Sequence, residues 1–289
     1  MRISMLAAVA GAVLAASPAV AQDDEITVTG REQRAKQIDT FVRALTNVPG
    51  RDPLARFDYT TLCPGVTGLA EARNAEITSR MRVVAKAAGI NLARAADCKP
   101  NALVIITPEP ELMIEALRKA HPIYFKDAAG RFIDPPKQTG PAIAWHLEGR
   151  IDRNGSPVPF NPDTGQFEYN TTLTPSRISA TMRPVFLAAV VVIDVDALVG
   201  LTPVQVADYA AMRLYTRSDP AKLKASDAPT ILTILDAADD AEVPVTLTQW
   251  DLAYLKSLYG TAPFRSAATQ KGEIKQELGK DLDKAAAKN

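Results

Sequence analysis

The sequence predicts an α+β protein in which helices pack on a mixed β-sheet. Short apolar runs typical of buried strands, such as 102–107 and 188–198, alternate with amphipathic segments of helical period. In addition, 47% of the residues are hydrophobic and 23% are charged, a composition that is typical of a folded globular chain and excludes disorder over most of its length. We expect one α+β domain over residues 53–265.

The charge balance and the few histidines and cysteines exclude several functions. The 289 residues include 33 basic and 33 acidic side chains, so the formal net charge is zero. A general binder of nucleic acid or of an anionic membrane surface carries a basic excess, so neither is an expected partner. With only two histidines and two cysteines, metal and thiol chemistry is severely limited, and no cofactor is expected.

The first 21 residues are typical of a secretory signal peptide. Arg2 precedes an apolar run from Ile3 to Ala16, and Ala19-Val20-Ala21 supplies the small residues of a cleavage site. This run of about 14 residues is shorter than the roughly 20 needed to span a bilayer. We expect cleavage after Ala21, export, and no integral membrane segment in the mature chain.

Export changes the interpretation of Cys63 and Cys98, the only two cysteines. In an oxidising compartment a disulfide between them is the expected state, and closing that loop stabilises the fold by roughly 3–4 kcal/mol in the chain-entropy model. The alternative is a reactive thiol, but neither cysteine has a histidine near it in the sequence.

The elements of the first half follow from local patterns. The sequence of residues 22–52 predicts a flexible leader that contains an amphipathic helix over 31–46. We expect this helix to pack loosely on the body of the protein or against a partner. Further helices are predicted over 70–88 and 109–120, on either side of the strand 102–107, and residues 65–68 are predicted to form a turn.

The elements of the second half begin after an exposed loop over 127–142. Strands over 142–148 and 179–186 flank a projecting excursion over 150–175, whose aromatic side chains form either a recognition surface or a small core of their own: Phe160, Phe167 and Tyr169. A strand over 188–198 precedes a helix that begins with a capping box at Thr202 and Gln205. A last helix over 249–258 precedes a charged tail, 266–289, that we expect to be solvated and partly helical.

Few residues have the spacing of a catalytic or metal site. No H-E-x-x-H, G-x-S-x-G or G-x-G-x-x-G motif is present, and neither His121 nor His146 has a second histidine four residues on. Asp194 and Asp196, two apart on a predicted strand, would share one face and are candidates for an acid/base pair or a cation site. An acidic run that resembles a calcium loop only in composition is a further candidate: Asp236, Asp239, Asp240 and Glu242. In both cases the alternative is an ordinary solvated surface.

The C-terminal third carries a resemblance to a known family. The segment 207–213 (ADYAAMR) follows the strand 188–198, Thr230-Ile231-Leu232 come next, and the segment 247–260 reads LTQWDLAYLKSLYG. This order resembles the end of a metzincin metalloprotease, with its active-site helix, Met-turn and closing helix. In that comparison Ala207 and Ala211 stand where two histidine ligands would be, and Asp208 stands where the general-base glutamate would be.

The resemblance implies a zincin-like mixed sheet with a degenerate metal site. Zinc hydrolyses peptides by polarising the carbonyl and lowering the pKa of bound water, and both effects need the ligands. A zincin-like fold would still keep a cleft beside its edge strand, where an extended peptide can pair by β-augmentation. Six residues are the candidates for that cleft: Asp194, Asp196, Ala207, Asp208, Ala211 and Thr230.

A second resemblance covers most of the mature chain. The segments 63–69, 98–101 and 207–213 are similar to uncharacterised exported proteins of sphingomonads, and the leader 25–30 is similar to the start of many exported proteins of that group. The resemblance implies a periplasmic or secreted protein of a Gram-negative bacterium, and it implies no assigned activity.

Three functional hypotheses follow. The first is an exported, non-catalytic binding or scaffold protein with a pseudo-metalloprotease cleft, whose partner is an extended peptide or another envelope protein. The second is a carboxylate-dependent hydrolase of the cell envelope that uses Asp194, Asp196 or Asp208, which requires at least two of them to face one cleft. The third is a structural envelope protein that docks through its leader helix or charged tail.

Overall fold

The computed structural model describes residues 23–46, 52–94, 98–135, 140–168, 179–223, 226–238 and 241–287, with the backbone alone for 23–31 and 221. The predicted signal peptide, 1–21, and Tyr169, Asp239 and Asp240 lie outside these residues. Within them the chain is a mixed α+β protein, as the sequence predicts.

A four-stranded mixed sheet forms the centre of the protein. Its strand order is β1 (Pro64–Thr67), β2 (Ala102–Thr107), β6 (Met182–Asp194) and β3 (Ala142–Asp152). β1, β2 and β6 are parallel, whereas β3 is antiparallel to β6 and forms one edge. Two short strands, β4 (Phe160–Asn161) and β5 (Gln166–Phe167), form a separate hairpin in the excursion between β3 and β6.

β6 is one strand where the sequence predicts two. The predicted strands 179–186 and 188–198 meet at Leu187, where the register with β3 shifts between Leu147 and Glu148. A β-bulge accommodates one extra residue without ending a strand, so the break in the pattern is a bulge and not a loop. β6 ends at Asp194, and a 3-10 turn, Val195–Leu198, follows.

The turn predicted over 65–68 is instead strand β1, and only its last residue turns. Gly68 has φ +108°, and a Cβ at that position would lie 1.9 Å from the carbonyl oxygen of Ile106. Glycine is therefore required there, because other residues are strained at positive φ and no side chain would fit against β2.

Helices cover both faces of the sheet. One face packs against α2 (Glu71–Ala87) and α4 (Pro203–Tyr215), and α6 (Gln249–Gly260) packs on these two helices in the same large hydrophobic cluster. The other face is covered by α3 (Pro110–Ala120) and the 3-10 turn Pro122–Phe125, around Phe125 and Trp145. The predicted capping box of α4 is confirmed, since Thr202 Oγ1 accepts from Gln205 N and Gln205 Oε1 accepts from Thr202 N.

The leader and the tail belong to the same core, contrary to the sequence-based expectation. α1 (Asp23–Leu45) begins where a flexible segment was predicted, and its Phe41, Val42 and Leu45 are almost completely buried. The tail is the helix α7 (Ala267–Ala286), which packs against α1 and α6 and buries Ile274 and Leu278. A short helix, α5 (Pro220–Leu223), lies beside α1.

The predicted disulfide between Cys63 and Cys98 is confirmed. The two Cα atoms are 6.0 Å apart, and the bond joins the start of β1 to the segment that precedes β2. Among the described residues no helix combines the length and the apolar character needed to cross a bilayer. In the excursion, Phe160 and Phe167 pack edge to face with ring centroids 5.2 Å apart, as expected of a small core of its own.

Candidate functional site

The residues predicted to form a cleft on α4 are core residues. Ala207, Asp208 and Ala211 have no exposed surface, and Thr230 is 2% exposed. Every residue of α4 from Gln205 to Tyr215 is buried, which is typical of a helix enclosed on all sides. The predicted cleft lined by these residues is therefore filled by packing, and this part of the prediction is corrected.

Asp208, placed by the metzincin resemblance at the general-base position, holds elements together. Its two oxygens accept from Arg80 Nε at 2.7 Å and Arg80 Nη2 at 2.9 Å, in a bidentate pair with α2. It also accepts from Thr246 Oγ1 and from the main-chain N–H of Leu247. The carboxylate is fully engaged in tying α4 to α2 and to the segment before α6.

Thr230 has a comparable structural role. Its hydroxyl donates to Asp251 Oδ1 at 2.6 Å, and Asp251 Oδ2 accepts from the main-chain N–H of Ile231 at 2.8 Å. Burial raises the pKa of Asp251, while its hydrogen bonds with Thr230, Ile231 and Thr248 oppose that rise. The network anchors the 3-10 turn Ile231–Thr233 to the first turn of α6.

Asp194 and Asp196 do not share a strand face. Asp194 ends β6, and its Oδ1 accepts from the main-chain N–H of Asp196 at 3.0 Å, which caps the following turn. Asp196 lies in that turn and is exposed. The structure therefore does not bring Asp194, Asp196 and Asp208 together as an acid/base set. No group of three or more potential metal-ligating side chains exists in the described parts of the chain, which include Asp236 and Glu242.

A cavity of about 340 Å³ lies instead along β3, at the edge of the sheet. His146, Glu148 and Arg150 line it from β3. Residues of the turn 127–131 and Arg217, just after α4, also line it.

The main-chain groups of β3 that point away from the sheet are identified by the register. Asp194 N donates to Pro141 O, and Arg150 O accepts from Val158 N on the outer side. Because main-chain direction alternates along a strand, the N–H and C=O groups of Ala144, His146 and Glu148 also point outward. Within the described residues these groups form no main-chain hydrogen bond, so this stretch is an open sheet edge.

His146 is held as a neutral imidazole. Its ring stacks on Phe186 with centroids 4.2 Å apart, and its Nε2 lies 3.1 Å from the carbonyl oxygen of Leu214. Burial, together with the nearby charge of Arg217, lowers the pKa of His146 to about 3. A carbonyl oxygen can only accept, so Nε2 carries the proton and Nδ1 is left as an acceptor.

Glu148, on the edge strand β3, forms an ion pair with Arg217. Arg217 Nη2 lies 2.8 Å from Glu148 Oε1, and the side chain of Glu148 is 19% exposed. Burial raises the pKa of Glu148, while Arg217 and Arg150 act in the opposite direction. In this pair the carboxyl group is therefore the more buried partner and the guanidinium group the more exposed one.

Two further ion pairs flank the cavity. Arg150 Nη2 lies 2.5 Å from Asp52 Oδ2, and its guanidinium group lies over the ring of Phe167, 4.7 Å from the centroid. Arg131 Nη2 lies 2.7 Å from Asp127 Oδ2, and Asp127 Oδ1 accepts from the main-chain N–H of Arg131. Asp127 thus holds its own turn beside the sheet edge.

No sequence motif marks this cavity, but one weaker signal does. His146, Glu148 and Arg150 alternate along β3, and alternate residues of a strand lie on one face. His146 and Glu148 belong to the predicted strand 142–148, with Arg150 two residues beyond it, and polar residues at alternate positions of a strand indicate a face that is not closed by apolar packing. The partners Arg217, Asp127 and Asp52 come from distant segments and follow from no local pattern.

Comparisons of the chain with known protein families, with characterised proteins and with solved structures return no match, so its geometry is the basis for a functional conclusion.

Proposed function

We propose that the protein binds an extended peptide segment, which adds as a strand to the outer edge of β3. The observation that carries the proposal is the open main-chain edge at Ala144, His146 and Glu148, beside a cavity of about 340 Å³. An extended peptide satisfies such groups with its own N–H and C=O groups, and its side chains occupy the neighbouring cavity.

The edge is prepared for this role before binding. β3 pairs with β6 from Ala142 to Asp152, so its main chain is held in strand geometry. His146 is fixed by its ring stack and by Leu214, and Glu148 is fixed by Arg217. Binding then orders mainly the peptide, which keeps the entropic cost on the protein side small.

We further propose that this edge corresponds to the substrate edge of a zincin-like fold that has no zinc ligands. Three features support this proposal: β3 is an antiparallel edge strand, α4 follows the neighbouring strand β6, and α6 closes the chain segment that resembles a metzincin. Alanine side chains carry no ligating atom, so Ala207 and Ala211 cannot replace histidines. The peptide would be held and not cut.

The partner is then an extended segment of an envelope or secreted protein, reached after export. The confirmed disulfide agrees with an oxidising compartment. The carboxylate-hydrolase hypothesis is not favoured, because Asp194, Asp196 and Asp208 share no position at which a substrate could bind. Docking through the leader or the tail is not favoured either, because α1 and α7 are packed into the core over much of their length.

Ala144→Pro tests strand addition directly. The outward N–H of Ala144 is lost in this variant, but the inward hydrogen bonds of its neighbours to β6 are kept, because proline is tolerated on the open side of an edge strand. Peptides selected from a random library on the wild-type protein should lose measurable binding to the variant in calorimetry.

The matched control is Val66→Pro, on the opposite edge of the sheet. Cys63 O accepts from Ala102 N, so by alternation the N–H of Val66 also points away from β2. This variant should bind the selected peptides as the wild type does. Equal binding by all three proteins would refute strand addition at β3.

A further inference from the structure

We propose that the bound segment is acidic, with carboxylate side chains at two successive positions. One is bound by Arg217 on the α4 face of the sheet, and the other by Arg131 on the α3 face. This inference rests on the proposed strand addition and specifies the chemistry that the edge recognises.

The two arginines reach the cavity from elements that pack on opposite faces of the sheet. Arg217 follows α4 and pairs with Glu148, whose side chain lies on the same face as Phe186 opposite it. Arg131 belongs to the turn that precedes Ile133, and Ile133 packs with the cluster on the other face. Successive side chains of an added strand point to opposite faces, so neighbouring residues reach one arginine each.

The exposed end of each ion pair is the cation. The side chain of Arg131 is 74% exposed and that of Asp127 is 27% exposed. For Arg217 and Glu148 the values are 39% and 19%. A ligand approaching the edge therefore meets guanidinium groups before it meets their carboxylate partners.

The two carboxyl groups are also partly occupied by other interactions. Asp127 Oδ1 accepts from the main-chain N–H groups of Ala129 and Arg131, which holds its charge inside the turn. Burial raises the pKa of Glu148, so this carboxyl group keeps its negative charge less readily than an exposed glutamate. The guanidinium groups of Arg131 and Arg217 are therefore the more accessible charges at the mouth of the cavity.

The exposed charge beside Arg150 is negative. There the arginine side chain is 19% exposed and its partner Asp52 is 45% exposed, so the exposed end of the pair is the carboxylate. The acidic pair of the ligand is therefore expected beside His146 and Glu148 and not beside Arg150. This restricts the register of the added strand.

The test uses three capped synthetic peptides that differ only at two central positions. Their sequences are Thr-Val-Thr-Val-X-X-Val-Thr-Val, in which X-X is Glu-Glu, Gln-Gln or Lys-Lys. Calorimetry on the full chain should give the tightest binding for Glu-Glu and the weakest for Lys-Lys. The advantage of Glu-Glu over Gln-Gln should be about tenfold or more and should fall with added salt, since each charge-assisted hydrogen bond contributes roughly a factor of ten.

Arg217→Gln and Arg131→Gln connect this preference to the two residues. Each variant should weaken Glu-Glu binding by about tenfold and Gln-Gln binding by clearly less, because only the Glu-Glu peptide loses a charge-assisted hydrogen bond. The matched control is Arg118→Gln, because Arg118 is 43% exposed, is paired with Asp134, and lies outside the cavity. Equal loss in the control would refute the assignment to Arg217 and Arg131.

The outcomes separate this inference from strand addition. Equal binding of Glu-Glu and Gln-Gln, lost in Ala144→Pro, would refute the acidic preference and leave strand addition standing. A Glu-Glu peptide N-methylated at alternate residues cannot pair as a strand, so its unchanged binding would refute strand addition. Failure of all three peptides to bind at millimolar concentration would refute both.

Discussion

At the scale of single residues, Asp208 illustrates how a side chain placed by family resemblance acquires a different role. The carboxylate has no exposed surface and accepts from Arg80, Thr246 and Leu247. Three segments of the chain are joined through this one side chain. Its contribution should therefore be measured in stability.

Asp208→Ala should lower the free energy of unfolding by about 3 kcal/mol, because it leaves Arg80 and the N–H of Leu247 without their buried partner. Urea denaturation measures this loss. Asp283→Ala, which removes the 74% exposed partner of Arg34, should cost less than about 1 kcal/mol. Equal costs for the two variants would contradict the structural role of Asp208.

His146 should make the protein less stable in mild acid. Its pKa is lowered from 6.5 to about 3 by burial, so between these values the unfolded chain binds a proton that the folded chain does not. The corresponding stability is complete above the unfolded pKa of 6.5 and decreases as pH falls, by at most about 1.4 kcal/mol per pH unit. Glu148 acts in the opposite direction, because its raised pKa favours the folded state as pH falls.

His146→Gln isolates this contribution, because an amide N–H can still donate to Leu214 but does not titrate. Unfolding free energies at pH 7 and pH 5 should differ less in this variant than in the wild type. His121→Gln provides the comparison at an exposed position. If the free energy of unfolding of His146→Gln fell between pH 7 and pH 5 as much as that of the wild type, the pH dependence would not come from His146.

At the scale of elements, local chemistry predicted some segments and tertiary contacts decided the others. The strand 102–107, the capping box at Thr202 and the start of α6 at Gln249 follow from patterns within a few residues. β1 has no such pattern and takes its structure from its pairing with β2. For the same reason the strand 142–148 was predictable but its cavity was not, since Arg217 and Asp127 reach it from other elements.

The tail helix α7 is the clearest difference from the sequence-based expectation. Its alternating charges suggested a solvated segment, but Ile274, Leu278 and Leu282 recur at helical spacing and are buried. Leu278→Ala should therefore lower the free energy of unfolding by about 2–5 kcal/mol, which is the range for emptying a core position. Urea denaturation measures it.

Lys280→Ala is the control for that experiment, on the same helix and 50% exposed. It should change the free energy of unfolding by less than about 1 kcal/mol. A solvated tail would instead give two equally small effects.

At the scale of the whole molecule, the disulfide closes a loop with a sequence separation of 35 residues. The chain-entropy model predicts a stabilisation of about 4 kcal/mol for a loop of this length. The Cys63→Ala/Cys98→Ala double variant should therefore unfold at a lower urea concentration, as should the wild type under reductant. A reductant effect on the double variant would show that the loss does not come from this bond.

The packing of α1 against α7 determines when the fold can be completed. Arg34 on α1 pairs with Asp283 on α7, 249 positions further along the chain. A ribosome makes α7 long after α1, so the apolar stripe of α1 has no α7 to pack against until that helix is synthesised. Contacts this distant in sequence slow folding, because a long loop must close before they form. The nascent chain therefore stays incompletely folded until α7 exists, and an incompletely folded polypeptide can still be threaded through a translocation channel.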